Sequence, residues 1–341
     1  MKEDFSLLKQ LFCIHSKSGK EGKIRKFIWN WIRQTVPDAK IVCDKPGNLY
    51  ITKGKSETYP CIVAHMDQVQ ERHSKDFMAY EAEDIIIGFS AKRREQQGLG
   101  ADDKCGLWIA MKCLQKFDCL KVAFFVGEEV GCKGSGQAEM EFFSDCRFVI
   151  EPDRKGSNDL ITQIGWTSLC SDDFLKDIGY KKFGYKEADG MTTDIEALKD
   201  NGLLLSCINV SCGYYEPHRD TEFVYKPALL NCLAFVEHII KTCTKVYPHI
   251  DKTAQYEREN YYFDISDDLY SEIYDLLTNN PGMSFGEIEA MFKDWYGTGN
   301  INKGDLETQY ELAREDILFY NEEKERKTTK VLNKQTTSNY V

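Results

Sequence analysis

Three short runs of this chain, CIVAHMD (61–67), KVAFFVGEE (121–129) and RFVIEPD (147–153), are almost wholly apolar and then stop in His, Asp or Glu. A strand with one wet face alternates apolar and polar residues, whereas a continuous apolar, β-branched run belongs to a strand covered on both faces. Runs of similar character (IVCD 41–44, NLYITK 48–53, IIIGF 85–89) alternate from about residue 40 with helical stretches, notably 104–117 and 226–245. That rhythm predicts an α/β fold around a mixed, mostly parallel sheet covered by helices. Ligand sites in such sheets lie just beyond the carboxyl ends of the strands, so the polar endings are placed to converge in one crevice.

The flanking segments differ in character. Two helices are expected at the start, the second carrying Ile24, Phe27, Ile28, Trp31 and Ile32 on one face. After about residue 248 the chain turns to acid-rich helical segments with start signals at Ser266, at Ser284 with Glu287, and at Asp305. The reading is a principal domain over 1–248, a small C-terminal helical appendage over 262–325, and a polar, non-periodic flexible tail over 326–341.

Composition narrows the function classes. A net charge of -11 argues against nucleic-acid binding, which needs clustered Lys and Arg to neutralise phosphates. No apolar run reaches the roughly 18 residues of a membrane span, and the start lacks a secretory pattern, so a cytoplasmic location and no membrane partner are expected. The 13 cysteines are odd in number, scattered and free of Cys-x-x-Cys pairs, which reads as reduced, mostly buried thiols.

Five clusters carry the chemistry: AHMDQV with His65 and Asp67, GLGADDKCG with Asp102 and Asp103, FFVGEEVGCKGSG with Glu128 and Glu129, FVIEPDRKG with Glu151 and Asp153, and SCGYYEPHRDTEF with His218. In this order and spacing they resemble the co-catalytic zinc exopeptidases, the group that includes peptidase T and the bacterial leucyl aminopeptidases. The resemblance covers roughly residues 5–245 and implies a three-layer aminopeptidase-type fold. It implies two divalent ions, zinc foremost with cobalt or manganese as substitutes, bridged by Asp102. His65 and Asp153 would complete one ion's protein ligands, Glu129 and His218 the other's. Glu128 would be the general base that deprotonates a shared water and later protonates the leaving amine. Asp67 would orient the His65 imidazole from behind. The peptide bond Asp102–Asp103 would be cis.

Some points stay open at this level. Glu151 and Asp153 share a face of an extended segment, so alternation cannot choose between them; the family habit of an aspartate at the strand end favours Asp153. Asp153 and His218 lie only 65 positions apart, leaving no room for the lid domain that many relatives insert there. The oxyanion donor supplied by that lid must come from elsewhere, and Tyr214 or Tyr215 is the candidate.

Blander readings exist for each motif. Asp102–Asp103 could simply cap the helix that follows, Glu128–Glu129 could be a solvated turn, and Thr193 with Glu196 reads as a capping box. The glycine-rich segments lack the Gly-Lys-Ser/Thr ending of a phosphate loop. Taken together, the clusters predict an exopeptidase, most simply an aminopeptidase acting on small peptides. A deacylase or amidohydrolase for N-acyl amino acids is the alternative, and a catalytically silent binding scaffold the third reading.

Overall fold

The computed structural model describes residues 4–165, 167–250 and, further on, 273–274, 276–278, 280–296, 303–304, 306–314 and 317–318. The chain divides into two units, Met1–Ala254 and Gln255–Val341.

The first unit opens with helices α1 (Ser6–Phe12) and α2 (Gly22–Thr35), followed by strands β1 (Lys40–Cys43), β2 (Leu49–Lys53) and β3 (Tyr59–His65). Strands β4 (Phe77–Ala82), β5 (Ile85–Ser90) and β6 (Glu95–Gln96) come next, then helix α3 (Ala101–Lys116). Strands β7 (Leu120–Phe125), β8 (Cys146–Arg154), β9 (Asp159–Ile164) and β10 (Thr167–Ser168) lead to helix α4 (Asp172–Ile178) and strand β11 (Lys186–Gly190). Helix α5 (Asp194–Asp200), strands β12 (Cys207–Ser211), β13 (Tyr214–Tyr215) and β14 (Phe223–Tyr225), and helix α6 (Lys226–Thr242) complete it.

Nine of these strands form one mixed sheet in the order β1-β2-β7-β3-β8-β12-β9-β10, with β11 also pairing β9. Its centre is parallel: β3 pairs β7 and β8, and β8 pairs β12, all in the same direction. The apolar runs fill this centre because they are buried on both faces. Along β3, Ile62 and Ala64 join one core with α1, α2, α3, α4 and α6, while Cys61 and Val63 join a second core with α5. Strand β7 divides in the same way, Val122 and Phe124 against Ala123 and Phe125. The result is three layers, helix on sheet on helix.

Helix α2 inserts Ile24, Ile28 and Ile32, one turn apart and all fully buried, with Phe27 and Trp31 half-buried beside them. Full burial of each isoleucine contributes about 1.5–3 kcal/mol. The helix expected at 104–117 begins earlier, at Ala101, although Asp102 and Asp103 depart from helical dihedrals and the bond between them is cis. All 13 cysteines are free thiols, and ten are buried.

A second, antiparallel sheet runs β13-β14-β5-β4, with β6 on β5. Because β13 pairs β14 directly, residues 216–222 form the loop joining them, and this loop carries His218. Between Asp153 and His218 the chain builds β9 to β13 with their short helices, so the interval is spent on the two sheets themselves.

The Thr193 capping box forms by half: α5 begins after Thr193 and the Glu196 carboxylate accepts the Thr193 backbone N–H. Thr193 stands at the N-cap of α5, yet its hydroxyl makes no cap bond and instead donates to Glu151 Oε2 at 2.5 Å, a buried carboxylate that competes for the same proton.

In the second unit, the helix Phe285–Tyr296 starts with the capping box read from sequence: Glu287 accepts from the Ser284 backbone N–H at 2.8 Å, and the Ser284 hydroxyl faces the Glu287 N–H at 3.4 Å. Ile288 and Phe292 pack with Ile273, Leu277, Leu306 and Tyr310 in a small core. The start signals at Ser266 and Asp305 and the tail 326–341 lie outside the described residues.

Candidate metal centre

Parallel neighbours end on one edge of the sheet, which is why the polar residues that terminate the apolar runs meet. His65 closes β3 and stands in register with Phe125, the last residue of β7. Two residues later Gly127, at φ +64°, turns the chain into the short 3-10 helix Glu128–Val130; a side chain there would be strained in that left-handed conformation. Asp67, fully buried just past β3, fastens this turn by accepting the backbone N–H groups of Glu128 at 3.0 Å and Glu129 at 3.3 Å. The Ser18 hydroxyl donates to it at 2.7 Å. Burial would raise its pKa, but the nearby His65, Ser18 and the Glu128 N–H outweigh that and hold it below the usual carboxylate range. Asp67 lies 3.4 Å from His65 Nδ1, without hydrogen-bond geometry, so its firmest contacts are with the glutamate turn rather than the imidazole.

Asp102 stands between two imidazoles. Its Oδ1 is 3.0 Å from His65 Nε2 and its Oδ2 is 3.3 Å from His218 Nε2. Asp153 Oδ2 lies 3.7 Å from His65 Nε2, and Glu129 Oε2 lies 3.1 Å from His218 Nε2. Two groups of donors thus share one carboxylate: His65, Asp102 and Asp153 on one side, and Asp102, Glu129 and His218 on the other. Glu128 Oε2 is 3.8 Å from His65 Nε2. Glu151, the rival of Asp153, is fully buried and turned away to the Thr193 hydroxyl.

The electrostatics are those of excess negative charge in a confined space. Burial pushes Glu128 up to about 8 and raises Asp153 well above the usual range. Hydrogen bonds to Asp102 and Glu129 raise His218 to about 10. Burial alone would lower His65, but the charge of Asp153, the bond to Asp102 and the neighbouring Asp67 carboxylate reverse the sign. Asp102 is held low: burial opposes its ionisation, and the bonds to His218 and His65 overcome that. Glu129 Oε1 is buried and has no hydrogen-bond partner among the described residues. Four carboxylates and two imidazoles, one oxygen orphaned, form a nitrogen and oxygen donor set that fits divalent cations such as zinc. Among the described residues, His65, Asp102 and Glu129 each offer one ligand atom within 4.8 Å of the others.

Asp102, Glu128, Glu129, Asp153 and His218 line a cavity of about 520 Å³ with Tyr214, Thr193 and Met191 on its walls. The Tyr214 hydroxyl donates to Asp153 Oδ1 at 3.3 Å. Tyr215 is half-buried and stacks on Phe223 at 5.1 Å between centroids.

Of two further buried acids, sequence reasoning weighed one as a helix cap and overlooked the other. Asp103 accepts the Gly106 N–H at 2.9 Å, the helix-capping role weighed for the pair, and Gly106 is required because a Cβ there would meet the Asp103 carboxylate at 2.4 Å. Glu222 sits four residues after His218 in the quoted cluster, where an acid before an aromatic reads as loop decoration. Only the folded chain brings it to the start of α3, against the backbone of Gly100, Ala101 and Asp102.

No family model matches the chain, and no curated protein matches its sequence. Solved structures do resemble it. The aminopeptidase PepT from Bacillus cereus is 14% identical, with a TM-score of 0.57 over 70% of this chain and 97% of that one. A tripeptidase from Staphylococcus aureus is 14% identical, with a TM-score of 0.55 over 69% and 96%. An aminopeptidase from the archaeon Desulfurococcus kamchatkensis is 16% identical, with a TM-score of 0.52 over 69% and 94%. At these identities the likeness is one of fold.

Proposed function

We propose that this chain is a metal-dependent exopeptidase, an aminopeptidase for short peptides, that holds two divalent ions, zinc foremost. One observation carries the reading: the two Asp102 oxygens face two different imidazoles, at 3.0 and 3.3 Å, in the wall of a cavity that also exposes Glu128. The fold shared with aminopeptidases and a tripeptidase supports peptide as the substrate class.

His65, Asp102 and Asp153 would hold one ion, and Asp102, Glu129 and His218 the other. The bound ions would supply Lewis acidity toward a water and toward the scissile carbonyl. Glu128, in the cavity wall but outside both ligand groups, takes the proton from the attacking water and returns it to the leaving amine. Asp67 keeps that base in place through the backbone N–H groups of the glutamate turn. Among the described residues no helix is long and apolar enough to cross a membrane.

A panel of unblocked dipeptides and tripeptides, run beside N-acyl amino acids and N-acetylated peptides, tests the reading. The expected result is release of the amino-terminal residue from unblocked peptides only. Cleavage confined to N-acyl amino acids would make the chain a deacylase, and no cleavage of any amide would return it to a binding scaffold.

Of the two tyrosines, Tyr214 lines the cavity and Tyr215 does not. Tyr214→Phe should therefore lower kcat, by about 10²–10³ if its hydroxyl meets the developing oxyanion, while Tyr215→Phe changes little. Steady-state kinetics on one good peptide decides: an unchanged kcat in both single variants and in the double variant removes the tyrosines from the mechanism.

A further inference from the structure

We propose that Glu222 is a positioning residue that sets the separation of Asp102 and His218 and, through it, the affinity of the second metal position; the proposal rests on the dimetal reading above. Glu222 is fully buried. Its Oε2 accepts the backbone N–H of Gly100 at 2.7 Å, and its Oε1 accepts those of Ala101 at 3.0 Å and Asp102 at 3.3 Å. One carboxylate thus grips the three residues that end at the bridging aspartate, at the start of the 16-residue helix α3, where negative charge is favoured. Its own backbone carbonyl accepts Gln96 Nε2 at 3.1 Å, and its N–H donates to the Arg219 carbonyl at 3.2 Å. That second bond closes the turn Arg219–Glu222, directly after His218.

The loop 216–222 has little else to fix it. Glu216 and His218 both adopt positive φ, 53° and 66°, which costs non-glycine residues energy, and the His218 side chain is half exposed. Asp220 adds one bond, accepting the Gly98 N–H at 3.1 Å. Asp102 and His218 therefore belong to two irregular segments whose spacing no strand pairing dictates, and Glu222 is the buried group that joins them. The other position shares Asp102 but takes its remaining ligands, His65 and Asp153, from β3 and β8, paired strands of the sheet that Glu222 does not touch.

Replacing the carboxylate by an amide points an NH₂ group at one of the three N–H donors. Full-length protein, stripped with a chelator and titrated with zinc by calorimetry, reads the consequence. Wild type should take up two ions. Glu222→Gln should bind one nearly as tightly and lose about 10–100-fold in affinity for the other. Asp220→Ala, which cuts the neighbouring bond of the same loop, should keep both. An unchanged pair of affinities in Glu222→Gln, an equal loss of both ions, or the same loss in Asp220→Ala overturns the proposal. Should Glu222→Gln not fold, judged by the melting of the metal-free protein, Glu222→Asp carries the same test with a smaller expected loss at the second position only. A wild-type chain that binds fewer than two ions would instead overturn the dimetal reading.

Discussion

Stripping the protein of divalent metal with a chelator should abolish peptide hydrolysis, and adding back zinc, cobalt or manganese should restore it, since affinity order alone does not select the native ion. The expectation follows from charge. Asp102, Glu128, Glu129 and Asp153 converge on one cavity, and the imidazoles of His65 and His218 are the basic groups set against them at 3.0–3.8 Å. Metal-free protein must keep these groups apart, protonate some of them or pay in repulsion. Metal that binds only the folded chain adds stability by mass action, about 4 kcal/mol at a free concentration a thousandfold above its Kd. A melting temperature several degrees lower in the stripped protein should therefore accompany the loss of activity. Full activity in protein shown by elemental analysis to hold no metal would end the metal-dependent account given above.

The fold was legible because burial on both faces leaves a direct mark on sequence. CIVAH and KVAFF read as central strands, and they are central, each dividing its residues between two cores. The polar residues that end them were legible as a converging set for the same reason, since parallel strands share an edge. Asp102 was not legible in this way. It precedes a helix, and its place between His65 and His218 was anticipated only from the family resemblance. Nor did sequence reveal Glu222, because its partners are backbone N–H groups more than a hundred positions away, and backbone groups carry no sequence signal. Thr193 shows the opposite failure: a sound local motif, with a hydroxyl that tertiary structure redirects to Glu151. Local patterns predict local bonds until a buried acid offers a better acceptor.

Glu128→Gln is the sharpest test of roles within the centre. The substitution keeps the size of the side chain and leaves untouched the backbone N–H through which Asp67 fixes the turn, so the ligand groups should keep their places. Glutamine cannot accept a proton from water or hand one to an amine, so kcat should fall by about 10²–10⁴, the usual worth of a general acid–base group, with KM little changed. Metal content should stay at two ions per chain. The neighbouring residue offers the comparison: Glu129 Oε2 approaches His218 at 3.1 Å, whereas Glu128 Oε2 stands 3.8 Å from His65 Nε2 in the cavity wall. Loss of a metal ion from Glu128→Gln would make Glu128 a ligand, and a kcat close to wild type would remove it from proton transfer altogether. A large drop in kcat at full metal content and unchanged KM is the one outcome that requires a base at this position, because neither a lost ligand nor a collapsed site produces all three together.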